Sequence, residues 1–85
     1  MRMMVTMVFD SERRSDIVAH VPAERARIRE LTAQGIIEAL YIAAAQDRVW
    51  LVIRVDTGED ARQVVASLPL HAYATVELAT LTDPL

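Results

Sequence analysis

The chain has 85 residues, 53% of them hydrophobic and only two of them glycine, which predicts one small folded domain over residues 1–85. The net charge of -3 argues against nucleic-acid binding, which requires a basic surface. There is no cysteine and all nine basic residues are arginine, which excludes disulfides, thiolate metal sites, cysteine nucleophiles and Schiff-base lysines.

The first half of the chain predicts a strand, a loop and a helix. Apolar residues alternate over residues 3–9, as in a strand, and the charged residues 10–16 follow as a predicted loop or short irregular turn. Pro22 is favoured at the first position of a helix, so we expect a helix through residue 34 with Gly35 as its left-handed cap. The inward stripe of this helix contains Val21, Ile28 and Leu31.

The centre of the chain predicts a hairpin. Residues 36–44 are expected to form the second strand, and residues 45–47 the turn. Residues 48–55 follow as the most β-prone run in the sequence, with apolar side chains on both faces. Such a strand suits the middle of a sheet.

The last third predicts a helix and a strand. Thr57 is a suitable N-cap for a helix that Pro69 ends. The inner face of this helix contains Ala61, Val64, Val65 and Leu68. Residues 73–81 alternate as a last strand, and residues 82–85 are expected to be a flexible tail.

The order β-α-β-β-α-β predicts an α+β, ferredoxin-like fold. We expect a four-stranded antiparallel sheet in the order 4-1-3-2, with both helices on one face. The opposite face is too apolar to stay bare, so we predict a homodimer or higher homo-oligomer. We assign to that open face Ile37, Ala39, Tyr41, Trp50, Val52, Arg54, Thr75, Glu77 and Ala79.

Residues 68–73, Leu-Pro-Leu-His-Ala-Tyr, precede the strand Ala-Thr-Val-Glu-Leu, and Gln34-Gly35 ends the first helix. This pattern resembles that of muconolactone isomerase-like proteins over nearly the whole chain. The resemblance implies a dimeric α/β barrel that acts on small cyclic organic acids or polyketide-like rings without a cofactor. The chain departs from the family pattern in several places. His71 replaces the usual aromatic residue, Ala72 the usual proline, and the N-terminal loop is different. The resemblance implies an acid around the hairpin, but residues 43–45 are all alanine, and Asp47 is the only acid left in that turn.

The topology predicts that His20, the turn at residues 45–47 and His71 lie at the same end of the sheet. Histidine transfers protons readily near neutral pH. We therefore predict His20, His71 and Asp47 as catalytic, with Glu24 as another possible acidic partner. Alternatively, His20 caps the helix and His71 is an exposed loop residue.

Glu24 and four further side chains are candidates for substrate binding. Tyr41 and Tyr73 could donate hydrogen bonds to a carbonyl or enolate oxygen, although buried tyrosines more often only pack. Trp50 could stack on a ring or pack in a dimer interface, and Arg54 could hold a carboxylate or pair with Glu77. No metal site is predicted, because the two histidines and the carboxylates lack ligand spacing. Nothing favours haem or another cofactor.

The sequence and the resemblance together predict a cofactor-free isomerase or cyclase that transfers a proton on a small cyclic carbonyl or lactone substrate. The alternatives are a non-catalytic ligand-binding or assembly subunit of the same fold and a cofactor-free monooxygenase. No apolar stretch is long enough to span a membrane, and residues 1–9 do not match a secretory signal. We therefore expect a cytoplasmic protein that contacts neither membrane nor nucleic acid.

Overall fold

Four antiparallel strands form one sheet, and two helices pack on one of its faces. The structure is a computed structural model that describes residues 1–83. The predicted tail includes residues 84 and 85, which lie outside the described residues. The elements are β1 Arg2–Phe9, a 3-10 turn Ser11–Arg13, α1 Arg14–Ala33, β2 Ile37–Ile42, β3 Arg48–Arg54, α2 Gly58–Ala66, a 3-10 helix Pro69–Tyr73 and β4 Ala74–Thr80.

The strand order is β2-β3-β1-β4, which confirms the predicted topology and the ferredoxin-like fold class. β1 is central and pairs with both β3 and β4. One face of the sheet joins the inner faces of both helices in a single apolar core. The buried members of that core are Met3, Val5, Met7, Leu31, Ile37, Leu51, Ile53, Ala61, Val65, Leu68 and Leu70.

The first helix begins eight residues earlier than predicted, at Arg14, so the predicted loop or turn is wrong for residues 14–16, whereas Ser11–Arg13 do form a short 3-10 turn. Asp10 starts this segment, since its side chain accepts a hydrogen bond of 2.9 Å from the N–H of Glu12. Pro22 lies inside the helix, where a proline ordinarily costs about 3 kcal/mol. Packing of Ile17 and Ile28 against the core offsets that cost.

The second strand contains a β-bulge, which places the side chain of Ile37 on the helix-covered face of the sheet rather than on the open face. Ile37 pairs with Ile53 and Ala39 with Val52, so Glu38 is an extra residue between them. Ile37 is therefore in the core at 5% exposure, and its assignment to the open face is wrong. The Glu38 carboxylate pairs with Arg2 at 2.8 Å and with Arg54 at 3.2 Å. Arg54 thus pairs with Glu38 rather than with Glu77.

The N-cap of α2 and the turn between β2 and β3 lie where the sequence predicts them. The N–H of Asp60 donates a 3.0 Å hydrogen bond to Thr57 Oγ1, so Thr57 is the N-cap of α2 as predicted. The turn between β2 and β3 is closed by a 2.8 Å hydrogen bond from Gln46 N–H to the carbonyl of Ala43. Within residues 1–83, no helix combines the length and the hydropathy that a membrane crossing requires.

The two glycines provide a matched test of backbone strain. Gly35 has a φ of +76°, which only glycine adopts readily, whereas Gly58 is not in that region. No atom lies within 4 Å of a Cβ built at either position. Gly35→Ala should lower the free energy of unfolding by about 1–2 kcal/mol through backbone strain alone. Gly58→Ala should leave it unchanged or raise it by up to about 1 kcal/mol. Urea denaturation measures both, and equal effects would contradict the explanation.

Candidate active site

A cavity of about 540 Å³ lies between α1 and the helix-side face of β2 and β3. Its walls are mainly apolar and include Met7, Ile17, Val21, Ile28, Val49 and Leu51. Leu40 and Ile42 line its open side and stay exposed, because α1 does not cover the edge strand. A concave, apolar cavity of this volume is typical of small-molecule sites.

Glu24 is the one buried charged residue in the described part of the chain, and it lines this cavity at 7% exposure. The N–H of Leu70 donates a 3.1 Å hydrogen bond to Glu24 Oε1. Burial raises the pKa of the Glu24 carboxyl above its ordinary value, and the hydrogen bond from Leu70 opposes that shift. A carboxyl of this kind can exchange a proton nearer neutral pH than an exposed glutamate can.

Helical spacing explains why Glu24 points inward. Ile17, Val21, Glu24, Ile28 and Leu31 recur at intervals of three and four residues, so they share one face of α1. An acid within an apolar stripe is the signal in the sequence that marks this residue. The predicted helix start at Pro22 shortened this apolar stripe, because it left Ile17 outside the helix.

Asp47 lies at the mouth of the same cavity. Its backbone carbonyl accepts a 3.0 Å hydrogen bond from the N–H of Phe9, which ties the hairpin turn to the end of β1. Its carboxylate is exposed and makes one long ion pair, 3.9 Å, with Arg48. Of the eight candidate residues named from the sequence, the structure brings Glu24 and Asp47 to this cavity.

His20 and Tyr73 form a separate cluster that does not line the cavity. Their ring centroids are 5.2 Å apart, and the Arg13 guanidinium lies 4.9 Å from the centroid of the Tyr73 ring. His20 Nδ1 is 2.7 Å from the carbonyl oxygen of Asp16. A carbonyl oxygen only accepts, so Nδ1 donates and Nε2 of the neutral ring carries the lone pair. His20 lies within α1, and the aromatic ring it contacts is that of Tyr73, while His71 is exposed in the 3-10 helix.

The other three candidates lie on the open face of the sheet. Tyr41 pairs with Trp50 across β2 and β3, and Arg54 pairs with Glu38. None of the three lines the cavity between α1 and the sheet.

The sequence reasoning did not select three arginines that line the cavity: Arg14, Arg25 and Arg29. They lie on the flank of α1 beside the apolar stripe, where charged residues are ordinarily solvated, so periodicity alone gives no signal for them. Within residues 1–83, no three His, Asp or Glu side chains are grouped as metal ligands are.

The fold and the cavity together define a ferredoxin-like α+β protein with a candidate site for a small molecule. The chain belongs to the muconolactone delta-isomerase family, whose family model matches residues 1–84. This confirms the resemblance seen in residues 68–78. Membership in this family supports an enzyme that converts a small molecule.

A solved structure supports the fold independently. It is 5-chloro-2-hydroxyhydroquinone dehydrochlorinase from Burkholderia phenoliruptrix AC1100, in complex with 2,5-dihydroxybenzoquinone. The two chains are 10% identical, with a TM-score of 0.83, over 99% of this chain and 96% of that chain. At this identity the similarity shows the fold alone. Comparison with curated proteins gave no significant match.

Proposed function

We propose that the chain is an isomerase or cyclase that moves a proton on a small cyclic carbonyl or lactone substrate without a cofactor. In this proposal Glu24 transfers the proton and the cavity beneath α1 holds the ring. The observation that carries the proposal is one buried carboxyl, with a raised pKa, in a mainly apolar cavity. Family membership supports the same type of chemistry.

The proposed chemistry requires one group that both accepts and returns a proton. The Glu24 carboxylate removes a proton from the carbon next to a carbonyl, and the electron pair of the broken C–H bond moves into an enolate. The protonated Glu24 then returns the proton to another carbon of the conjugated system, so the double bond migrates with no change in oxidation state. A pKa nearer neutral pH favours both steps.

Asp47 has a different part in the proposal. Its carboxylate is exposed at the mouth of the cavity, so it can exchange protons between bulk water and a substrate bound inside. His20 and His71, predicted as catalytic from the sequence, lie outside the cavity lining. The proposal therefore assigns transfer of the carbon-bound proton to Glu24. Substitution of each histidine tests whether it takes part.

Deuterium exchange tests the proposal directly. In D2O, the wild-type chain should catalyse the incorporation of deuterium into butenolides or cyclic β-dicarbonyl compounds. NMR monitors this incorporation. His20→Ala and His71→Ala should retain at least about a third of the wild-type rate, since neither ring lines the cavity. Collapse of exchange in either histidine variant with the fold intact would return the proton transfer to that histidine.

The same experiment separates the alternative functions. Binding of these compounds, or of 2,5-dihydroxybenzoquinone, with no exchange would favour a ligand-binding subunit. Turnover that requires oxygen would favour a cofactor-free monooxygenase. Either result would contradict the proposed isomerase or cyclase.

A further inference from the structure

Two hydrogen bonds join a single turn of α1 to residues 67–70, the junction between α2 and the 3-10 helix that precedes β4. Arg27 Nε donates to Ser67 Oγ at 3.0 Å, and the Leu70 N–H donates to Glu24 Oε1 at 3.1 Å. Glu24 and Arg27 are three residues apart, so they are neighbours on one side of the helix. The proposed proton-transfer group and a partly exposed arginine thus contact the same short junction.

Both partners of the hydrogen bond between Arg27 and Ser67 are oriented by other contacts. Ser67 is the C-cap of α2, and its N–H donates to carbonyl oxygens of the last turn of that helix. Its hydroxyl donates a 2.6 Å hydrogen bond to the carbonyl of Val64, which leaves the lone pairs of the hydroxyl oxygen to accept from Arg27. Arg27 Nη1 pairs with Glu30 at 2.9 Å, so the guanidinium is also held from its other side.

The junction needs a directional contact to fix its position along α1. Leu68 and Leu70 are in the core at 2% and 5% exposure, and Pro69 between them has a restricted φ. Apolar packing holds the junction against the helix but is non-directional. A hydrogen bond has a preferred distance and angle, so the contact between Arg27 and Ser67 also fixes where the Leu70 N–H lies.

We propose that Arg27 and Ser67 are positioning residues for Glu24. Their hydrogen bond holds the junction at the position along α1 where the Leu70 N–H reaches the carboxylate. This inference rests on the proposed function and adds two residues that act on its proton-transfer group through Leu70. A backbone N–H that donates to a carboxylate stabilises the ionised form, and this contact opposes the effect of burial on the pKa of Glu24. Loss of the hydrogen bond between Arg27 and Ser67 should therefore raise that pKa further.

A substitution at Ser67 leaves every charge around Glu24 in place. The junction itself contains no titratable side chain, and the 3-10 helix adds His71 and Tyr73. The other charged residues that line the cavity belong to the end of β1, to α1 and to the hairpin turn: Asp10, Arg14, Arg25, Arg29 and Asp47. A shift in the titration of Glu24 would therefore report its contact with Leu70 rather than a lost charge.

NMR titration of isotope-labelled glutamate side chains measures the effect without turnover, and Glu24→Gln identifies the Glu24 signal. Ser67→Ala removes the acceptor and should raise the midpoint of the Glu24 titration by about half a pH unit, or about threefold in the ionisation equilibrium. Ser67→Thr keeps the hydroxyl and should titrate like wild type. Arg27→Gln should raise the midpoint to a similar extent. The double variant should shift it no further, since both substitutions break one hydrogen bond.

Ser15→Ala is the matched control, because it removes a hydroxyl from an exposed position on α1 that does not line the cavity. It should leave the Glu24 midpoint unchanged. The proposal is overturned if Ser15→Ala shifts the midpoint as far as Ser67→Ala does, or if the shifts of Ser67→Ala and Arg27→Gln add. Lower stability of Ser67→Ala with an unchanged Glu24 midpoint would also overturn it, since a purely structural contact gives that result.

The positioning and the proposed function can fail separately. A raised midpoint in Ser67→Ala, in a chain that exchanges no compound, would support the positioning and contradict the proposed function. Deuterium exchange by wild type, with the same Glu24 midpoint in the Ser67 and Arg27 variants, would support the function and contradict the positioning. Where both hold, the rise of the exchange rate with pH should move about half a pH unit higher in Ser67→Ala, because the ionised carboxylate removes the proton.

Discussion

Glu24→Gln is expected to lower the rate of deuterium exchange by about 10²- to 10⁴-fold, the range typical of losing a general acid–base group. The amide is nearly isosteric with the carboxyl, and its oxygen can still accept the hydrogen bond that Leu70 N–H donates to Glu24 Oε1. The cavity should therefore keep its shape while it loses the group that exchanges protons. Exchange rates by NMR and the far-ultraviolet circular dichroism of both proteins provide the measurement.

Glu30→Gln is the matched control for this variant. Glu30 lies on the same helix and pairs with Arg27 at the surface, 2.9 Å away, rather than lining the cavity. Its substitution should leave the exchange rate within a factor of about two, because an exposed ion pair contributes little to the structure of the site. Equal rates in wild type and Glu24→Gln would remove Glu24 from the mechanism.

The same substitution has an expected effect on stability. Because the pKa of Glu24 is raised in the folded chain, the folded chain binds more protons than the unfolded chain between the ordinary glutamate pKa and the folded one. Stability should therefore fall as the pH rises through that window, as the buried carboxyl becomes charged. Glu24→Gln should lose this dependence and be more stable than wild type above the window. Urea denaturation at pH 4, 6 and 8 measures the difference, and identical pH profiles would contradict the burial effect.

Short-range patterns were sufficient to predict most of the fold. The N-cap at Thr57, the left-handed Gly35 and the β-prone run of β3 each depend on neighbours within a few residues, and the structure confirms all three. The start of α1 required a choice between two local signals. Pro22 favoured one start and Asp10 with Glu12 the other, and only packing of Ile17 in the core decides between them.

The site was harder to predict because it depends on contacts between distant segments. Glu24 is held by Leu70, forty-six positions away, and the cavity exists because α1 leaves the edge of β2 uncovered. The bulge at Glu38 is equally non-local, since Arg2 and Arg54 fix its carboxylate from two other strands. Topology did predict that the ends of β1, the hairpin turn and the 3-10 helix meet. It could not predict which side chains turn into the cavity.

The open face of the sheet supports the proposal that the chain pairs with a second copy. Tyr41, Trp50, Thr6 and Glu77 lie side by side across the four strands, and Ala39, Val52, Met4 and Ala79 form the next row. Neither helix covers these rows, because both pack on the opposite face. Tyr41 is 60% exposed in the single chain, so this face presents apolar surface for a partner to cover. Apposed sheets of two copies would bury it completely.

Tyr41→Asp is expected to weaken this dimer by about two orders of magnitude, since it places an unpaired charge in an apolar interface. The side chain of Tyr41 is 60% exposed in the single chain, so the substitution should cost the isolated fold little. Ala79→Asp should act in the same way from the opposite edge of the sheet. Sedimentation equilibrium measures the dissociation constant, and the thermal midpoint of wild type should rise with protein concentration.

Ala26→Asp is the control for these variants, because it adds the same charge to an exposed position on α1 away from the open face. It should leave the dimer intact. A wild-type chain that is monomeric at micromolar concentration, or open-face variants that associate as tightly as Ala26→Asp, would contradict the proposed interface. Because the cavity lies on the other face of the sheet, folded monomers of Tyr41→Asp should still catalyse deuterium exchange. Loss of exchange together with the dimer would indicate that the partner subunit completes the site.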